Sequence, residues 1–120
     1  GGMPGGSSAT GSMSFEKTGV TSDWPLVRYL LDVPEYYAAY VAYVDEVSSG
    51  AFEPSKMIAT YQAMHELIAP YVVGENGEQD GYSNLSSPDA FETALDTLIE
   101  HVQQRYAAAQ AFVTSTLESQ

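Results

Sequence analysis

Proline placement constrains this chain more than any other feature. Six prolines occur in 120 residues. Four of them, Pro25, Pro34, Pro54 and Pro88, stand ahead of apolar residues spaced three and four apart. Proline lacks a backbone N–H and holds φ near its helical value, which suits the first turn of a helix and disrupts the interior. The punctuation therefore predicts four helices, at 24–32, 34–49, 55–73 and 88–117. No run alternates apolar and polar residues long enough for a useful strand. The expected class is all-α, a small bundle of four helices after a Gly/Ser-rich N-terminal segment.

Local signals set the expected ends. Ser22 or Asp23 is the expected N-cap of the first helix, which stops before Pro34 because proline disfavours helical backbone at Val33. Gly50 is expected to close the second helix as a left-handed cap, and Gly74 to close the third. Pro70, in the last turn of the third helix, predicts a kink or an early end there. For the fourth helix, Ser87 is the expected N-cap, with Asp89 and Glu92 placed where the helix dipole favours acids. Phe91, Leu95, Leu98, Val102, Tyr106, Ala109 and Val113 then recur at helical spacing.

Residues 1–21 read as a flexible lead-in, because GGMPGGSSATGSMS has too little apolar surface for a core. Within FEKTGVTSD, Phe15 or Val20 is expected to pack onto the helical part of the chain. Residues 22–120 read as a single helical domain, and as a subdomain of a larger protein. Sixteen acidic residues against four basic ones give a formal charge of −12. That charge repels phosphate backbones and anionic lipid, so neither nucleic acid nor a membrane surface is the expected partner. Without cysteine, disulfides, thiolate zinc sites and thiol redox chemistry are excluded. No apolar run approaches the roughly 20 residues of a spanning helix.

The segment LLDVPEYYAAYVAYVDEV raises the question of a ligand platform. At the helical angle, Tyr36, Tyr40, Tyr43 and Val47 share one stripe, and Tyr37, Val41 and Val44 the next. Together they form an apolar face about 160° wide, more than one neighbouring helix covers. Packing is the favoured reading, with tyrosine rings inside and hydroxyls at the rim. Trp24, Tyr36, Tyr37, Tyr40 and Tyr43 are thus the candidate packing and interface residues, against a protein partner or another part of the same protein.

Three further features are candidate sites. The loop from Asn76 to Ser87 places Asn76, Glu78, Asp80, Tyr82 and Asn84 at the odd positions of a calcium-loop pattern, with Gly81 at the sixth. Ser87 stands where the pattern needs a bidentate glutamate, so a polar loop is favoured over a calcium site. His65-Glu66 opens like a zinc-protease helix, but the second histidine would fall on Ala69. His65 is expected instead as a hydrogen-bonded residue at the core edge, and zinc shared by His65 and His101 with Glu66 or Glu100 has no spacing behind it. Nucleophile elbows and phosphate-binding glycine loops are missing, so no catalytic or cofactor-binding residue is assigned. Asn84-Leu85-Ser86 is a glycosylation sequon, relevant only to a chain secreted by a eukaryotic cell.

The segment SDWPLVRYLLDVPEYYAAYVAYVDEV resembles the helical stretch near the C-terminus of CotH kinase-like proteins. FEPSKM and ELIAPYV resemble the two ends of that family's next helix, and SPDAFETALDTLIEHVQQRYAAAQAFV resembles its closing helix. The resemblance covers residues 22 to 113 and consists of helix-packing words. It implies a distant likeness to protein kinases, ATP and divalent metal as cofactors of the parent, and a secreted, envelope or spore-coat setting. The family's nucleotide- and metal-binding residues belong upstream, so none is carried over. Arg105 matches the arginine of the closing helix and is expected to pair with a carboxylate or a carbonyl. By this resemblance the chain is a non-catalytic C-terminal subdomain supporting an upstream kinase part. The alternative is a stand-alone extracellular binding module.

Overall fold

Each helix of the computed structural model, which describes residues 13–78 and 84–119, starts on a proline. The elements are α1 (Pro25–Asp32), α2 (Pro34–Ser49), α3 (Pro54–Val72) and α4 (Pro88–Glu118), after a single 3-10 turn at Lys17–Gly19. Among the described residues there is no strand. The all-α four-helix class holds, and every helix end falls within one residue of its expected place. Residues 1–12 of the expected lead-in lie outside the described residues.

Two ends form for other reasons than expected. The N-cap of α1 is Trp24, with no side-chain cap, rather than Ser22 or Asp23. A turn precedes the helix: the Trp24 N–H donates to the Thr21 carbonyl at 3.1 Å, and the Asp23 N–H to the Thr21 hydroxyl at 3.3 Å. That turn uses Asp23 before it can cap. Gly50 is not a left-handed cap, for its φ is −111°. Glycine is needed there because a Cβ would stand 2.9 Å from the Glu46 carbonyl oxygen, where the chain doubles back and the Phe52 N–H donates to Val47 at 2.7 Å. Gly74, at φ 97°, does adopt the left-handed conformation after α3. Pro70 lies inside α3, which runs two residues beyond it.

Contacts divide the chain into two compact units, Gly1–Glu53 with Gln104–Gln120, and Pro54–Gln103. In the first, Val41 of α2 and Phe112 and Val113 of α4 form a buried core, with Phe15, Tyr37, Tyr40 and Val44 packed against it. Ala109 and Thr116 are buried on the same helix. Ser48, also buried, satisfies its hydroxyl twice, donating to the Asp45 carbonyl and accepting from Gln110 Nε2 at 2.8 Å. α1 contacts α2 but buries no residue fully.

Among the described residues of the second unit, Phe91 and Val102 are the buried apolar ones. Both lie on the predicted stripe of α4. α3 contributes half-buried side chains and no fully buried one.

Candidate functional site

The tyrosine-rich helix separates into two stripes of different fate. Val41 and Ser48 are buried, with Tyr37, Tyr40 and Val44 half-buried beside them. Tyr36 and Tyr43 remain 56% and 65% exposed, and Val47 is exposed with them. The wide face expected from periodicity is therefore only part-covered. Next to it in sequence, Trp24 of the preceding turn and Leu26, Tyr29 and Leu30 of α1 are exposed as well, Trp24 at 64%.

Tyr40 shows how a phenol enters this core. Its ring lies 5.8 Å from that of Phe112, and its hydroxyl donates to the Phe15 carbonyl at 2.8 Å. Burial first, then the neighbouring Tyr37 and Glu16, push the hydroxyl above its ordinary 10.0 against an opposing effect of Arg105. The cause is desolvation, which disfavours the phenolate.

Arg105 meets a carbonyl, one of the two kinds of partner expected for it: Nη1 donates to Met13 at 2.9 Å while the guanidinium stacks over the Phe15 ring, 4.4 Å from its centroid. Two basic residues that sequence reasoning passed over act alongside it. Arg28 donates through Nη1 to the carbonyls of Lys17 and Val20, at 2.9 and 3.2 Å, with Nε 3.5 Å from Asp32. Lys17 Nζ stands 3.7 Å from Asp32 and 5.3 Å from the centroid of the Tyr37 ring. Their scarcity was the available signal, for four basic residues among sixteen acids each have many possible partners.

His65 sits at the core edge, as expected. It stacks on Phe91 with centroids 4.0 Å apart, and Nε2 lies 3.2 Å from the Phe91 carbonyl and 3.9 Å from Glu92. Of the calcium-loop candidates, Asn76, Glu78 and Asn84 are described, whereas Asp80 and Tyr82 lie outside the described residues. The start of the loop folds back on α3, with the Glu78 N–H bonded to the Val72 carbonyl at 3.2 Å. Ser87 caps α4, its hydroxyl accepting from the Ala90 N–H at 3.1 Å.

Among the described residues no three His, Cys, Asp or Glu side chains form a group able to hold a metal ion. Lys17 and Arg28 are drawn to Asp32. No helix among the described residues is long and apolar enough to cross a membrane.

A protein family described as CotH kinase protein matches the chain over residues 3–109. No curated protein and no solved structure matches it.

Proposed function

The chain belongs to the CotH kinase protein family, and from that premise we propose that it is a non-catalytic helical subdomain, supporting an ATP-dependent kinase part that lies upstream in the parent. The observation that carries this reading is the exposed apolar face of the first unit. Trp24, Leu26, Tyr29, Leu30, Tyr36, Tyr43 and Val47 are all exposed there, on α1, α2 and the turn before them, two helices that contact each other. Such a face is a surface for another body to cover, and the upstream part of the same protein is the nearest candidate. ATP and magnesium belong to that part in this reading, and a secreted, envelope or spore-coat location goes with the family.

Two measurements test it. The chain alone, mixed with ATP, magnesium and a protein substrate, transfers no phosphate; appreciable transfer or tight nucleotide binding overturns the reading. A fluorine label on Trp24 reports solvent in the isolated chain and loses that signature when the preceding part of the parent is joined. An unchanged label would leave the face without its proposed cover.

A stand-alone binding module with calcium at residues 76–87 is the competing reading. Ser87, engaged as a helix cap, weakens it. Millimolar calcium is expected to leave the melting temperature unchanged, and a rise abolished by Asp80→Ala would restore the idea.

A further inference from the structure

The segment Met13–Val20 is held in the first unit in the manner of a bound peptide. Its backbone carbonyls serve as acceptors in sequence. Met13 accepts from Arg105 of α4, Phe15 from Tyr40 of α2, and Lys17 and Val20 from Arg28 of α1. Four acceptors thus meet donors on three different helices. Two side chains add selectivity. The Phe15 ring stacks on Phe112 with centroids 6.0 Å apart and carries the Arg105 guanidinium over it. Two residues on, Lys17 reaches Asp32 and lies over the ring of Tyr37.

Backbone carbonyls are common to every peptide, whereas an aromatic followed by a cation at the second position is not. Main-chain hydrogen bonds that give affinity, with pockets that read spaced side chains, are a general device of peptide recognition. We propose that Tyr37, Tyr40, Arg105, Phe112, Arg28 and Asp32 form a peptide-acceptor groove, occupied in cis by residues 13–20. Its ligand class is a short segment carrying an aromatic residue and, two positions later, a lysine or arginine that opens a tight turn, as Lys17 opens the 3-10 turn here. The acidic surface of the chain, at −12 overall, favours the basic member of that pair. Segment 13–20, whose Phe15 packs on the core, is on this proposal a displaceable occupant, and this holds whether or not the subdomain reading does.

The test weakens the occupant and offers the same peptide in trans. In Phe15→Ala the helical circular dichroism stays intact, and trypsin cleavage after Lys17 rises by about tenfold or more as the anchor is lost. A synthetic MSFEKTGV peptide then binds Phe15→Ala saturably in calorimetry, with amide shifts at Tyr40, Arg105 and Phe112. The peptide with alanine for its phenylalanine binds at least about tenfold more weakly. A folded Phe15→Ala chain that does not bind the peptide overturns the groove. If Phe15→Ala fails to fold, native-state hydrogen exchange on the unaltered chain decides. The Gly19 and Val20 amides, bonded at 2.9 and 3.0 Å within the segment, must then exchange through a cheaper opening than those of α2 and α4. Exchange only with global unfolding would make the segment core and end the proposal.

Discussion

The two units build their cores differently, although both leave large apolar side chains exposed. The first closes a core from residues far apart in sequence: Val41, Phe112 and Val113, with Phe15 packed on from the N-terminal side. It then crosslinks that core with Tyr40, Arg28 and Arg105 to backbone carbonyls. The second unit buries Phe91 and Val102 but leaves Met64, Leu67, Ile68 and Tyr71 of α3 exposed. Apolar periodicity therefore states which face of a helix seeks cover. Whether cover exists within the chain is a separate matter, and it is decided by what the rest of the sequence brings alongside.

The strongest way to sharpen this contrast is to hollow out the first core. Phe112→Ala removes a 5% exposed ring that touches both Phe15 and Tyr40. The expected loss is about 3–5 kcal/mol, read from urea unfolding followed by circular dichroism. A loss below about 1 kcal/mol would show that the site is far looser than its contacts imply.

A smaller loss should follow from breaking the crosslinks while sparing the core. Arg28→Gln removes a charged donor from two carbonyls. Hydrogen bonds to charged groups are worth more than neutral ones, but this side chain is about a third exposed, so about 1 kcal/mol is expected. Trypsin cleavage after Lys17 should rise in the same variant. An unchanged melting temperature together with unchanged cleavage would mean that Arg28 holds nothing in place.

The exposed face of α3 supplies the opposite case. Leu67→Ser with Tyr71→Ser changes two large side chains that are 65% and 75% exposed. Each change is expected to stay within about 0.5 kcal/mol, with a gain in solubility as the apolar patch shrinks. A combined loss beyond about 2 kcal/mol would mean that the face is buried in solution, and the difference between the units would disappear.

These contrasts also mark what was legible in the sequence. Helix boundaries were, because Pro25, Pro34, Pro54 and Pro88 act through their own covalent geometry, and the Ser87 cap acts over three residues. The stripe of α4 was legible for the same local reason. Gly50 is an end, as its sequence context implies, but not in the left-handed conformation, since its need arises from a single approach to the Glu46 carbonyl. The packing of Phe15 was legible, but the hold on the backbone of residues 13–20 was not, for Arg105 and Met13 are separated by 92 positions. Nor could periodicity divide the tyrosines. Tyr36 and Tyr40 share a stripe, and only the presence of Phe112 and Phe15 beside the second makes it a part-buried donor.

The smallest expected effect belongs to that donor, and it is silent at neutral pH. The Tyr40 hydroxyl titrates above its ordinary 10.0, with burial as the main cause. Between the unfolded and folded values, the folded chain keeps a proton that the unfolded chain has lost. Stability due to this group is fully present below pH 10 and falls as pH rises through the folded value. Ionisation also removes the only proton that Tyr40 can give to the Phe15 carbonyl, so the segment held there should loosen with the same midpoint. Hydrogen exchange is too fast to follow under such alkali, but the phenolate absorbance and a fluorine label on Phe15 report the two events separately. Coincident midpoints, with Tyr40→Phe removing the upper phenolate step, are expected. A label that moves well below pH 10 would show that the segment is released by something other than Tyr40.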